Sequence, residues 1–321
     1  MNLPIVPRES RLPEKAESGL RVGPAGWSYA DWGGVVYPAR RPKQFHEAEY
    51  LAEFFDTIEI NTSFYQPPRA EHVRLWLDRV AANPRFLFTA KMWQKFTHDP
   101  SATVEDERAV RDGFDVLAGA GKLGCVLLQF PFSFHQSSET TTYLSALLRR
   151  FADYPLAVEI RHTSWNHAEF FDLLREHGAA FCNIDQPVIG RSLEPSQEWT
   201  SPIGYFRFHG RRYDTWFSED PAIPRHERYN YLYSSEELAP WAERIGAVAK
   251  QTSKVFVLTN NHYLGKGVVN ALQLITLLKG AKVKVPEPLR QHYLELEAIA
   301  DLPPAAPTLF VMGKTAEEKK R

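Results

Sequence analysis

Cysteine is scarce in this chain: Cys125 and Cys182 are the two in 321 residues, each inside an apolar run. That excludes a disulfide-stapled scaffold. With no CxxC or Cys/His spacing around them, it also excludes a zinc finger or ribbon, and both residues read as buried thiols in a reducing compartment. Long hydrophobic runs are missing too. No stretch of about 18 apolar residues is present to span a bilayer, and the opening MNLPIVPRES lacks the basic region and apolar stretch of a signal peptide. A cytoplasmic protein with no membrane partner is expected. Nor is charge of one sign in excess: 38 Lys and Arg stand against 39 Asp and Glu, a net charge of −1. A protein built on the nucleic-acid backbone usually carries a clear basic surplus.

What is present is aromatic. Eight Trp, 13 Tyr and 20 Phe make 13% of the chain. Past a proline-containing stretch (1–19) that reads as a flexible leader, short β-rich runs alternate with amphipathic segments of helical length. The expected strands are 20–23, 57–61, 86–91, 124–129, 157–161, 180–185, 204–209 and 254–260. Helices are expected over 44–55, 70–82, 104–120, 139–151, 168–177, 235–251 and 267–279, the crossover 186–202 having no helical period. Strict alternation implies parallel βαβ units. The leading fold is α/β, a TIM-type (β/α)8 barrel over 20–285, with an open doubly wound sheet as the alternative. A partly helical C-terminal extension, 286–321, ends in a tail expected to be disordered.

In such a barrel one face of each strand meets the helices and must be apolar, so the other faces the interior. Parity in Ile58-Glu59-Ile60-Asn61 turns Glu59 and Asn61 inward. The same rule gives Thr89 and Lys91, Leu127 and Gln129, Glu159 and Arg161, Asn183 and Asp185, Arg207 and His209, and Leu258 and Asn260. Polar ends of seven strands then converge on the C-terminal mouth, where barrel enzymes keep their active sites. Glu59, Lys91, Glu159, Arg161, Asp185 and Arg207 count as three positive and three negative. Two readings stand: a self-neutralising ladder, for instance Glu159 with Arg207, or a set that binds and transforms a ligand.

The strand ends also carry distinct words: GPAGWSY (23–29) with Trp32 and YP (37–38), EINTSFY (59–65), FLFTAK (86–91) with Thr97 and His98, and LQFP (128–131). Further on come VEIRH (158–162) with Ser164 and Trp165, YFRFHG (205–210), ERYNYLYS (227–234), and NNH (260–262) with Gly265, Asn270 and Ala271. In this order and spacing, from about residue 23 to 279, the chain resembles the YecE-like family, also called domain of unknown function 72. The resemblance implies a TIM-type barrel and no assigned reaction, so no catalytic residue is carried over from it.

GPAG lacks the spacing of a dinucleotide or triphosphate loop and reads as a tight strand exit, so no nucleotide cofactor is expected. Glu159, Asp185 and His209, with Glu59 opposite, are residue types that bind a divalent metal. Arg161 and Arg207 among them would repel it, so a metal is not favoured and cofactors stay unassigned. Residues 211–233, with Tyr213, Trp216, Phe217, Tyr229, Tyr231 and Tyr233, are too aromatic for a disordered loop and read either as an ordered lid whose rings stack on a ligand or as simple packing on neighbouring loops.

The resulting expectation is an enzyme acting on a small polar anionic substrate, a phosphoester, glycoside or sugar. Glu59, Glu159, His209 and Asp185 are the acid/base candidates. Asn61, Lys91, Gln129, Arg161, Arg207 and Asn260 are the binding candidates, with Trp27, Tyr65 and Trp165 as aromatic contacts. Alternatives are a nucleic-acid-binding or endonuclease-IV-like barrel, and a non-catalytic metabolite-binding protein. The oligomeric state is not legible.

Overall fold

The computed structural model describes residues 19–218 and 220–301. The expected leader, apart from Gly19, and the expected disordered tail lie outside the described residues. Eight parallel strands form the barrel: β1 (Leu20–Pro24), β2 (Thr57–Ile60), β3 (Leu87–Lys91), β4 (Leu123–Gln129), β5 (Leu156–Glu159), β6 (Ala180–Asp185), β7 (Ile203–Phe208) and β8 (Lys254–Thr259). They are hydrogen-bonded in the order β1-β8-β7-β6-β5-β4-β3-β2. The seam between β1 and β2 is closed by a parallel bridge from Ala25 to Glu59 and by Gly26 N donating to Glu59 O at 2.8 Å. Glycine makes this approach feasible: a Cβ on Gly23 would sit 1.9 Å from the Thr57 carbonyl oxygen. Gly26, with φ of +82°, then turns the chain out of the barrel.

The helices are α1 (Glu47–Leu51), α2 (Ala70–Arg79), α3 (Val104–Gly119), α4 (Ser138–Arg150), α5 (Ala168–Glu176), α6 (Ser235–Ala249), α7 (Lys266–Lys279) and α8 (Glu287–His292). Every expected strand and helix forms, α1 being shorter than its periodicity predicts. Reciprocal capping boxes start three of them, Thr103 with Asp106, Ser137 with Thr140 and Ser234 with Glu237. The last cap lies one residue earlier than Ser235, the start expected from sequence. Residues 186–202 contain no helix, as their lack of period foretold. The C-terminal segment packs on the barrel through Leu289, Leu296 and Ile299, all buried. No helix among the described residues is long and apolar enough to cross a membrane.

Parity holds where a helix covers the strand. Phe206 and Phe208 face Trp241 of α6, with ring centroids 6.2 and 5.2 Å apart, which turns Tyr205, Arg207 and His209 inward. It fails on β6. Asn183 and Asp185 point outward, while the Cys182 thiol reaches into the barrel, 3.9 Å from Glu159 Oε2. The cause is the helix-free crossover. Asn183 binds its backbone as a peptide partner would, taking Glu198 N at 2.8 Å and giving its amide to Glu198 O at 2.9 Å. A polar outer face is therefore satisfied there, where a helix would have demanded an apolar one.

Candidate functional site

Arg207 occupies the barrel axis. It is fully buried, and its Nη2 donates to Glu59 Oε1 at 2.7 Å while Nη1 donates to Glu159 Oε2 at 2.6 Å and to Gln129 Oε1 at 2.9 Å. Tyr205, one layer below, donates to Glu59 Oε2 at 3.1 Å. Arg161 closes the set from above, giving Nη2 and Nε to Glu159 Oε1 at 2.9 and 3.2 Å. Strands β2, β4, β5 and β7 are thus tied through one guanidinium. Burial pushes the Glu159 carboxyl up, but Arg207 above all outweighs it and holds the group well below the usual carboxylate range. Arg207 is raised in turn: the two carboxylates overcome its burial.

His209 sits beside this layer, fully buried. Asn260 Nδ2 donates to its Nδ1 at 3.1 Å, which leaves the proton on Nε2, 3.2 Å from Glu159 Oε1 but poorly aligned with it. Burial lowers its pKa to about 3, so the imidazole is neutral at ordinary pH. Asp185 lies outside the barrel, gripped by Arg211 Nε and Nη2 at 2.8 and 2.6 Å and by the Trp241 indole. The metal-type set Glu59, Glu159, Asp185 and His209 is accordingly not gathered at one point. Among the described residues no group of three His, Cys, Asp or Glu could hold an ion.

Above the layer opens a cavity of about 780 Å³. Of the residues expected to bind, Asn61, Lys91, Gln129, Arg161, Asn260, Trp27 and Tyr65 line it. Arg207 lies beneath, as do Glu59, Glu159 and His209. Trp165 is buried in the periphery, stacked on Phe134 and donating its indole N–H to Phe134 O at 2.8 Å. The lining also includes Tyr229 of the expected lid, and groups given no role from sequence: Gln94, His98, Trp76, Phe132, Arg228 and His262. His98 and Arg228 stood in the quoted words, but nothing in the local pattern tells which way a loop side chain turns. The 211–233 segment is ordered over the mouth at both ends. Trp216 packs on His209 and lies 5.6 Å from the Arg161 guanidinium carbon, and Tyr229 packs against His262, itself stacked on Tyr29.

Electrostatically the cavity is one-sided. Lys91, Arg161 and Arg228 line it, and no Asp or Glu is among the lining residues. With Asp185 turned outward, the interior holds Glu59 and Glu159 against Arg161, Arg207 and Lys91. The two guanidiniums already balance the two carboxylates, so Lys91 is the surplus cation. Among the described residues its amine makes no hydrogen bond or ion pair, and it rests 4.1 Å from the centre of the Phe64 ring. Burial, followed by repulsion from Arg207, lowers its pKa to about 7. His98, at the cavity edge, is lowered to about 4 by burial and by Lys91 and Arg161.

A family model described as protein of unknown function DUF72 matches residues 21–292. Among solved structures, a DUF72 family protein of Thermotoga maritima superposes with a TM-score of 0.70 at 33% identity, covering 81% of this chain and 98% of that one. A DUF72 family protein of Enterococcus faecalis gives the same TM-score at 24% identity over 81% of this chain and 95% of its own. No curated protein matches. With the barrel, the ordered mouth and a match across most of its length, this chain belongs to the DUF72 family.

Proposed function

We propose that the barrel mouth is the active site of an enzyme acting on a small anionic substrate. The observation that carries this reading is the cavity lining, with three cationic side chains and no carboxylate. Arg161 uses Nε and Nη2 on Glu159, which fixes its plane and leaves Nη1 for a ligand. Gln129 gives its carbonyl to Arg207 and keeps its amide N–H groups. Asn61 Oδ1 is buried without a partner. Trp27 and Trp76, edge to face at 5.2 Å, form an apolar wall. The size falls within the roughly 300–1,000 Å³ of small-molecule sites, which favours a compact ligand over a nucleic-acid strand.

In this reading Glu59, Glu159 and Arg207 are positioning residues: all are shielded from the cavity, and their charges are consumed by one another. Of the lining groups, His98, neutral at ordinary pH, and Lys91, which gives up its proton near neutrality, are the ones able to take a proton from substrate. Calorimetric titration of the full chain with glycerol 3-phosphate, inorganic phosphate and 2-oxoglutarate, against uncharged glycerol, tests the reading. Binding of at least one anion, lost in Arg161→Gln, is expected. Failure of all three anions to bind overturns it. Tight binding with no turnover of any bound compound would select the non-catalytic metabolite-binding alternative.

A further inference from the structure

Lys91 differs from a lysine kept merely to attract an anion. It stands at the end of β3, where Glu59 on the adjacent β2 and Glu159 two strands away on β5 would be its natural counter-ions, yet both are taken by Arg207, Arg161 and Tyr205. Among the described residues no carboxylate lies within ion-pair distance, and the amine opens to the cavity beside Phe64. Of the charged groups acting on it, Arg207 and Arg161 repel a proton while Glu59 and Glu159 draw one, and His98 faces it from the loop after β3. Arginine would serve simple anion binding better, being always charged and able to bond in a plane. A lysine amine beside guanidiniums in a partly dry pocket suits a nucleophile.

We propose that Lys91 forms an imine with the carbonyl group of a small anionic aldehyde, ketone or 2-oxo acid whose acidic group is held by Arg161 and Arg228. This rests on the anion-binding reading of the same cavity and adds to it a substrate class and a covalent step. The Nζ lone pair attacks the carbonyl carbon as the C=O π pair moves to oxygen. A proton passes from nitrogen to that oxygen, giving a carbinolamine. Its hydroxyl takes one further proton and leaves as water while the nitrogen lone pair forms the C=N bond. Amine, carbonyl and one proton taken from solvent thus become iminium and water, with no oxidant or reductant. The resulting cation sits where the barrel lacks a negative charge, so the ligand's own anionic group is its counter-ion.

Reductive trapping tests this. The full chain is incubated with pyruvate, 2-oxoglutarate or dihydroxyacetone phosphate, treated with borohydride, digested and mapped by mass spectrometry. A single reduced adduct on Lys91 with at least one probe, suppressed by excess inorganic phosphate and absent in Lys91→Arg, is expected. Labelling confined to surface lysines such as Lys43 overturns the proposal. Because Lys91→Arg could fail to fold, a second readout uses the wild-type chain. Acetylation of Lys91 by acetic anhydride, followed against pH, should reach half its maximal rate near pH 7, well below that of a free lysine amide run alongside. Coincident profiles overturn the proposal. Calorimetric binding of phosphate without a Lys91 adduct overturns the imine alone; absence of both overturns the anion site with it.

Discussion

Arg207 Nη1 on β7 donates to Glu159 Oε2 on β5 at 2.6 Å, and neither side chain has any exposed surface. Ions this deep are tolerated because nearly every polar atom finds a partner: Glu159 is met by Arg161 as well, and Arg207 by Glu59 and Gln129. Removing one member leaves uncompensated charge behind. Arg207→Met is expected to destabilise the fold by about 3–5 kcal/mol, read from urea unfolding at neutral pH. A loss below about 1 kcal/mol would show that the layer does not hold the strands together.

The seam between β1 and β2 makes an independent prediction. A Cβ at residue 23 would lie 1.9 Å from Thr57 O, with the backbone itself in the way. Gly23→Ala should therefore open the seam and cost more than about 2 kcal/mol. Hydrogen exchange should rise at Gly26, whose N–H crosses the seam to Glu59 O, while Ala25, bonded to Thr259 O on β8, stays protected. Unchanged stability and protection would mean that the two strands can separate freely.

Sequence alone revealed the barrel because six of its seven crossovers are helical. An alternating strand under a helix has one apolar face, and Ile58 with Ile60, or Phe206 with Phe208, announce which side that is. The rule broke at β6, where loop backbone replaces the helix and Asn183 satisfies it. That one reversal mattered. Counting Asp185 as interior made the charges balance, whereas its actual pairing with Arg211 leaves Lys91 in surplus. The excess positive charge of the mouth was therefore hidden in the sequence by a single parity error. Arg228 and His98 were hidden for another reason, since loops have no period that says which side chain turns inward.

Lys91 supplies a stability prediction with a definite sign. In the unfolded chain its amine holds a proton up to about pH 10.5; in the fold it releases it near 7. Between these values the unfolded state binds more protons, so raising the pH across this window favours the folded state. Relative to Lys91→Met, the wild-type chain should gain on the order of 2 kcal/mol between pH 7 and 10, allowing for screening of a partly exposed group. Urea unfolding of both proteins across the range measures it. Parallel curves would show that Lys91 is charged throughout.

Asp185 separates the structural ion pairs from the site. Its carboxylate ties Arg211 and the Trp241 indole on the outer face of β6, away from the cavity. Asp185→Asn should lower the thermal midpoint by several degrees while leaving anion affinity within about twofold. A selective loss of affinity with unchanged stability would return Asp185 to the site.

The central claim is that three cations and no carboxylate make the mouth an anion site. Calorimetric titration of wild type and Arg161→Gln with glycerol 3-phosphate, inorganic phosphate and 2-oxoglutarate tests it most directly. One-to-one binding of at least one of these anions is expected, weakened by roughly tenfold or more in Arg161→Gln, in line with loss of a charge-assisted hydrogen bond. Absence of binding to all three, or equal affinity in the two proteins, would contradict it.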